Sequence, residues 1–316
     1  MRLLKLVPDA TNIDFMRWRN FALVLSIVVT VISIAIVGVR GLNLGVDFVG
    51  GQMVRATFAQ PINVEQLRTN VSRLQLGDSN IQEVGGPRTY QIRLPTPEGG
   101  PAAASRAITK VRTMILTEYP NARVDAGESV SGKVSEELAR DGALAIGLAM
   151  LGIAIYIWFR FEWQFGVGAL LTLFHDVAMT LGFFSLTQLQ FDLNVVAAIL
   201  TIVGYSLNDT VVIYDRIREN LRKFRKMSIV PLLNLSLNET LSRTMVTSIS
   251  ILLALGMLLL FGPDVIFGLT IAIFVGIFVG TYSSIYISSP VLVWLGVTPD
   301  SFVRGDGSDV PETQAS

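Results

Sequence analysis

The 316-residue chain contains no cysteine and only one histidine, His175. Without cysteine there are no disulfides or thiolate metal sites, and one histidine cannot build a zinc site by itself. The sequence also lacks a nucleophile and base pair, a phosphate-binding loop and a cluster of metal-ligating residues. We therefore expect neither an enzyme nor a protein that binds a metal or another cofactor.

Charge is also scarce, since Asp, Glu, Lys and Arg make up 16% of the chain and hydrophobic residues 51%. Lys+Arg and Asp+Glu are balanced at 25 each, so the net charge gives no reason to expect a nucleic acid partner. The mean hydropathy is +0.54. These values, together with long apolar runs, indicate an integral membrane protein in contact with lipid.

A helix needs about 20 apolar residues to cross a bilayer core, and six windows of the chain come close to this length. They are residues 21–39, 142–159, 165–186, 193–213, 244–261 and 265–295. The first is too long for the apolar part of a signal peptide and no cleavage pattern follows it, so we predict a retained signal-anchor helix. The last is long enough to tilt or to end in an interfacial turn at Pro290.

The distribution of positive charge predicts the orientation. Basic residues cluster between the fourth and fifth windows, at Arg216, Arg218, Arg222, Lys223, Arg225 and Lys226. Such clusters are typical of cytoplasmic loops, so residues 214–243 are predicted to form a basic cytoplasmic loop. Six spans then place both termini, residues 1–20 and 296–316, in the cytoplasm. Residues 40–141 would form a periplasmic domain of a bacterial inner-membrane protein.

Within residues 40–141 the hydrophobic pattern alternates between strand and helix periods. Strands are predicted at 52–58, 81–84, 90–94 and 122–130, and helices at 64–76 and 102–118, with a Gly85-Gly86-Pro87 turn. The order βαββαβ is typical of the ferredoxin-like, split βαβ arrangement. The predicted fold is thus a polytopic α-helical membrane protein with six transmembrane helices and a small α+β domain between helices 1 and 2.

Two acids lie inside predicted spans, where an ionised side chain costs about 3 kcal/mol or more. Asp209 is in the fourth window, on a stripe whose members recur at helical spacing. The stripe comprises Thr201, Tyr205, Asn208, Asp209 and Val212. It is a candidate proton path, because a carboxylate in a low-dielectric medium can load and unload protons. The alternative is that Asp209 only forms hydrogen bonds between helices.

Asp176 is the second acid, in the third window beside His175. Adjacent helical residues point about 100° apart, so both cannot share one narrow face, and a packing role stays open. Arg243 opens the fifth window, with Glu239 four residues before it. Arg243 could extend to the headgroups, or it could pair with Asp209 across helices as a switch that binds the ionised acid.

Glycine occurs in two patterns, one in the last apolar window and one just after the first. Ala272, Gly276, Gly280 and Ser284 form a small-residue seam that permits close helix approach, by default within the bundle or else with a partner subunit. The run Gly45-Val46-Asp47-Phe48-Val49-Gly50-Gly51 combines glycines with an acid and an aromatic residue. A turn feeding the first strand would explain this run equally well.

Four motifs together resemble the SecD/SecF family of bacterial protein-export membrane proteins, in the form of its smaller subunit. The motifs are residues 45–51, the His175-Asp176 pair, residues 204–220 and Leu241-Ser242-Arg243-Thr244. The resemblance implies membership of the resistance-nodulation-division superfamily, in which two six-helix halves conduct protons between them. By position, Asp209 matches the proton-carrying aspartate of the family and Arg243 its functional arginine.

The resemblance also implies a function and partners. SecD would supply the other half, and the pair would associate with the SecYEG channel and YajC to couple the proton motive force to late steps of preprotein translocation. The expected proton relay is Asp209, Asn208, Tyr205, Arg243, Asp176 and His175, and the expected family loop comprises Gly45, Asp47, Phe48, Gly50 and Gly51. Two alternatives stay open: a passive scaffold of the translocase, and half of a small-molecule proton antiporter.

Overall fold

The computed structural model describes residues 11–77, 79–83, 88–97, 99–125, 127–263 and 266–298. The predicted Gly85-Gly86-Pro87 turn and almost all of the predicted tail 296–316 lie outside the described residues. In chain order the elements are α1 (Arg19–Arg40), α2 (Val46–Val49), β1 (Gly51–Thr57), α3 (Val64–Ser72), β2 (Asn80–Glu83), β3 (Thr89–Leu94), α4 (Gly100–Glu118), β4 (Arg123–Val124), β5 (Glu128–Val130), α5 (Gly132–Arg160), α6 (Trp163–Thr187), α7 (Leu193–Lys223), α8 (Ile229–Phe261), α9 (Phe267–Tyr286) and α10 (Ser288–Trp294).

Six stretches of helix in the described chain have the length and apolarity needed to cross a membrane, which agrees with the six predicted windows. The helices are longer than the windows, because an apolar window reports bilayer thickness and a helix can continue into water. The segment predicted as a basic loop, 214–243, is therefore mostly helix, and only the connection 224–228 between α7 and α8 is not. The last span breaks at Ile287, so that Pro290 lies in the first turn of α10, where its missing N–H is tolerated.

The chain divides into two compact units. We call the first the bundle unit, with Met1–Ala35, Met150–Thr180 and Ala198–Ser316, and the second the sheet unit, with Ile36–Ala149 and Leu181–Ala197. The division falls within α1, α5, α6 and α7, so both units contain parts of these helices.

The sheet unit contains an antiparallel sheet with strand order β2-β3-β1-β4, in which β5 also pairs with β1. This order is compatible with the predicted split βαβ arrangement. The single strand predicted at 122–130 was wrong, because the structure has two short strands there. Both pair with β1, with Met53 opposite Glu128 and Ala56 opposite Val124.

The core of the sheet unit follows the predicted periods. Val54 and Ala56 of β1 and Ile92 of β3 are buried in one cluster with Leu67 of α3 and Val111 of α4. The neighbouring residues Met53 and Gln91 are buried as well. The helix predicted to run to residue 76 ends at Ser72, and Gln75 then adopts a left-handed conformation at φ 53°. Leu74 and Leu76 still pack against the core from the segment that follows the helix.

The interior of the bundle unit combines a large apolar cluster with many buried hydroxyl groups, and its exterior is apolar. Many buried side chains there are serines and threonines, and several, including Thr30, Thr172 and Thr180, donate to the carbonyl one helical turn earlier. Leu253, Leu260 and Phe261 of α8 are by contrast exposed. This distribution is the one expected of helices that contact lipid outside and each other through small polar residues inside.

Candidate functional site

Asp209 lies inside the bundle unit, where its side chain is 7% exposed. Thr244 Oγ1 of α8 donates to its Oδ1 at 2.8 Å, and Ser284 Oγ of α9 donates to its Oδ2 at 3.0 Å. In the part of the chain that is described, no cationic nitrogen lies within ion-pair distance of the carboxylate. The acid is therefore bound by neutral hydroxyl groups alone.

Asp176 of α6 is fully buried and has a different set of neighbours. Ser206 Oγ of α7 and Ser283 Oγ of α9 donate to its Oδ2 at 2.5 and 2.9 Å. His175 Nδ1 lies 2.9 Å from Oδ1. The two side chains thus meet although adjacent helical positions point about 100° apart, because the imidazole reaches back to its neighbour.

Helix α9 is close to both acids because its seam residues have small side chains. A Cβ added to Gly276 would lie 2.4 Å from the side chain of Ile202, and one added to Gly280 would lie 3.6 Å from Asp176 Oδ2. The seam therefore faces α7 within the bundle, as the default reading predicted. This approach lets two consecutive residues of α9, Ser283 and Ser284, bind one acid each.

The predicted polar stripe on α7 does not form one path. Tyr205 Oη contacts Ser248 Oγ at 3.1 Å, and Thr281 Oγ1 donates to the same serine at 2.8 Å, so the described hydrogen bond of Tyr205 goes to Ser248 and not to Asp209. Asn208 and Thr201 are exposed. The members of the stripe therefore differ in burial, since Asp209 is buried and Tyr205 half-buried.

Arg243 is exposed and forms no ion pair with Asp209 in the described structure, although it lies near enough for a Coulombic attraction. Glu239, which we expected beside Arg243, instead accepts from Arg216 Nε and from Asn220 Nδ2, both at 2.7 Å. Arg216 belongs to α7 and Glu239 to α8, so this pair connects the two helices. In the described structure Glu239 is therefore paired with Arg216 and not with Arg243.

Sequence reasoning did not assign these hydroxyl groups to the acids, although signals existed for some of them. Ser206 lies one turn before Asp209, Thr244 follows Arg243, and Ser284 belongs to the small-residue seam. Ser283 carries no such signal, since its role depends on the rotation of α9.

The glycine-rich run lies in the sheet unit. Residues 46–49 form the one-turn helix α2, and Gly50 and Gly51 follow at φ 76° and 104°, so glycine is required there. A Cβ at Gly51 would lie 2.6 Å from the Leu94 carbonyl oxygen, and Gly45 N donates to Phe191 O at 2.8 Å. Phe48 packs on Phe191 with 5.8 Å between the ring centroids.

Two acids bind the first turn of α7 in the same unit. Asp47 Oδ2 accepts from Leu193 N at 3.0 Å, and Asp192 Oδ1 accepts from Val195 N at 3.1 Å. Burial raises the pKa of the Asp192 carboxyl above its ordinary value, its hydrogen bonds to Val195 and Asn194 oppose the shift, and the charge of Asp47 adds to it. The glycine-rich run is thus attached to the start of the helix that carries Asp209 further along.

Comparison with protein families matches the chain at two places. The family described as "Protein export membrane protein SecD/SecF, C-terminal" matches residues 110–298, and the "SecD/SecF GG Motif" matches residues 35–62. The chain belongs to the SecD/SecF family of protein-export membrane proteins. The second match contains the glycine-rich run, and the first contains both buried acids and every hydroxyl that binds them.

Members of the SecD/SecF family are similar in sequence to this protein over nearly the whole chain. The protein translocase subunit SecF of Rhodobacter capsulatus is 42% identical over 306 residues, covering 93% of this chain and 92% of that protein. The subunit of the same name from Pseudomonas aeruginosa is 41% identical over 298 residues, covering 94% and 96%. The six apolar helices and this homology make the chain a multi-pass inner-membrane protein.

A solved structure of the family has the same fold. The crystal structure of SecDF, a translocon-associated membrane protein from Thermus thermophilus, matches with a TM-score of 0.83 and 34% identity. The match covers 92% of this chain and 39% of that chain, so this protein spans well under half the length of SecDF. SecDF in its super-membrane-facing form matches with a TM-score of 0.66.

Proposed function

We propose that this protein is the SecF-type subunit of the accessory complex of the Sec translocase, and that it couples the proton motive force to late steps of preprotein translocation. Asp209 is the residue that carries the proton. The names of the SecF relatives and the SecDF fold support the subunit assignment.

The observation that carries the proposal is the neutral setting of Asp209. A hydroxyl can donate to a carboxylate and can accept from a carboxylic acid, so Thr244 and Ser284 suit both protonation states. A fixed counter-ion would instead favour the ionised form at all times. Asp176, unlike Asp209, contacts an imidazole that can carry a positive charge, that of His175. We therefore assign Asp176 a secondary part in the relay.

Loss of the Asp209 charge changes its attraction for Arg243, which is exposed on α8. Because α7, α8 and α9 all meet at Asp209, protonation alters the packing of three helices together. Helix α7 begins at the turn bound by Asp47, so a shift of α7 would reach the glycine-rich run. In this proposal residues 40–141, which contain the sheet and form the sheet domain, move as a result and act on the emerging polypeptide.

Partners and orientation follow from the same proposal. SecD supplies the second six-helix half. The name SecDF of the longer matching chain, which joins SecD and SecF, supports this partner. The pair acts with the SecYEG channel and YajC. Both termini and the basic turn after α7 face the cytoplasm, and the sheet domain faces the periplasm.

The test is preprotein transport into vesicles with and without a proton gradient, with the full chain assembled with SecD. The variants are Asp209→Asn, which cannot release a proton, and Asp209→Glu, which can. We expect Asp209→Asn to lose all stimulation by the gradient and Asp209→Glu to retain part of it, at equal amounts of assembled complex.

Full stimulation in Asp209→Asn would show that the acid only binds helices together and that the subunit is a passive scaffold. Proton release driven by a small molecule, without preprotein, would instead favour an antiporter.

A further inference from the structure

A cleft at the ends of α5 and α7 is rich in positive charge. Its volume is about 440 Å³. It is lined by Arg160, Asp215, Arg218, Glu219, Arg222 and Lys223. Arg160 is the last residue of α5, which is apolar just before it, and α7 is largely apolar up to Tyr214 and charged from Asp215 to its last residue, Lys223. The cleft therefore lies at the level where acyl chains give way to headgroups in a bilayer.

Two guanidinium groups of the cleft are fixed in position. Arg160 Nη2 donates to both carboxylate oxygens of Asp215 at 2.9 and 3.2 Å, and Arg218 pairs with Glu162 at 3.2 Å. The guanidinium carbons of Arg160 and Arg218 lie 5.1 and 5.9 Å from the ring centroid of Phe161. Groups held this way lose little conformational freedom when they bind an anion.

Two of the four cations of the cleft, Arg160 and Arg218, are paired with carboxylates, whereas Arg222 and Lys223 are not. Asp215 is bound by Arg160, and Glu219 accepts from Arg216 at 2.7 Å. In the described part of the chain no carboxylate lies within ion-pair distance of Arg222 or Lys223, and the Lys223 ammonium lies 5.1 Å from the Phe224 ring centroid. Two cations therefore line the cleft without a bound counter-ion.

An apolar groove lies on α5 just before the cleft. It is lined by Ala154, Ile155, Trp158 and Phe159 and has a volume of about 230 Å³. Trp158 is 72% exposed and Phe159 86%. A soluble anion would leave this groove uncovered, whereas a ligand with an acyl chain would cover it and bury its apolar surface.

We propose that the cleft binds the phosphate headgroup of an anionic phospholipid, with an acyl chain of the same lipid in the groove. Arginine forks bind phosphate oxygens in pairs, and lysine adds a point charge. The combination of fixed guanidinium groups, two unpaired cations and an adjoining apolar groove matches a lipid in charge and in shape. Scattered surface charge would supply only the electrostatic attraction and not the match in shape.

The experiment uses Trp158 as a fluorescent reporter. The chain has four tryptophans, so replacing Trp18, Trp163 and Trp294 with phenylalanine leaves Trp158 alone. The full chain is placed in phosphatidylcholine vesicles that contain either brominated phosphatidylglycerol or brominated phosphatidylcholine, since bromine quenches a tryptophan that it contacts. We expect the anionic lipid to bind beside Trp158 with roughly 25-fold preference, because each of the two unpaired cations contributes about fivefold.

Two double variants with the same loss of charge separate the cleft from the general surface. Arg222→Gln/Lys223→Gln removes the unpaired cations of the cleft and should bring the preference close to that of phosphatidylcholine. Arg225→Gln/Lys226→Gln lies in the connection 224–228, outside the cleft lining, and should keep it.

The proposal is overturned if both double variants lower the preference equally, or if the unsubstituted cleft shows none. It is also overturned if inorganic phosphate at constant ionic strength abolishes the preference, since the cleft would then bind the free anion.

Discussion

Asp176 and Asp209 are both buried acids, and their neighbours separate their chemistry. Asp176 shares a contact with an imidazole and accepts from two serines, whereas Asp209 accepts from one threonine and one serine. Two adjacent serines of α9 serve different acids, so a small rotation of α9 would change both sites together. The two carboxylates are therefore coupled through one helix.

Asp192 offers a prediction about pH at the scale of one side chain. Its pKa is raised by burial, so the folded protein binds this proton more tightly than the unfolded chain does. Stability at this site is then greatest below the ordinary pKa, about 4, and falls as the pH rises through the raised value. Asp192→Asn keeps the helix cap and removes the charge, so at pH 8 the first turn of α7 should be more stable than in the wild type.

Amide hydrogen exchange at Val195 and Val196, corrected for its intrinsic pH dependence, measures this difference. The Asp192→Asn variant should exchange more slowly than the wild type at pH 8, and the two should converge as the pH falls toward 4. Asp125→Asn, at an exposed acid of the same unit, is the control. Equal protection at all pH values would contradict the prediction.

At the scale of elements, the approach of α9 to α7 depends on the absence of one side chain. A Cβ at Gly276 would lie 2.4 Å from Cγ1 and Cδ1 of Ile202, a residue that is only 1% exposed. We expect Gly276→Ala to destabilise the protein by about 1–3 kcal/mol, because overpacking displaces the helix. Thermal unfolding in detergent would show this as a lower midpoint.

Ile202→Ala in the same chain should recover part of that loss, since it removes the atoms that clash. Gly152→Ala on α5 is the matched control, because no atom lies within 4 Å of its added Cβ. A Gly276→Ala variant as stable as Gly152→Ala would show that the seam does not require glycine.

The helix ends also show what a hydropathy pattern measures. The apolar window at 142–159 lies inside α5, which begins at Gly132, and the window at 244–261 lies inside α8, which begins at Ile229. Hydropathy falls where a helix leaves the bilayer, whereas backbone hydrogen bonding continues until a turn ends it. Spans were thus predictable and helix lengths were not.

For the molecule as a whole, the lack of cysteine makes the orientation directly testable. A single Ser105→Cys places a thiol on α4 of the sheet domain, and Lys226→Cys places one in the connection after α7. A membrane-impermeant maleimide should label Ser105→Cys in intact cells, and Lys226→Cys only after the inner membrane is permeabilised. The reverse pattern would invert the proposed topology.

The sequence by itself determined the membrane class, the six spans, the α+β domain and the positions of two acids in the bundle. Hydropathy, charge and glycine content are local properties, and a bilayer of fixed thickness converts them directly into spans. Only the tertiary structure decided the partners: Ser284 for Asp209, His175 for Asp176, and Arg216 instead of Arg243 for Glu239. These contacts depend on how each helix is rotated against its neighbours, and packing between distant residues sets that rotation.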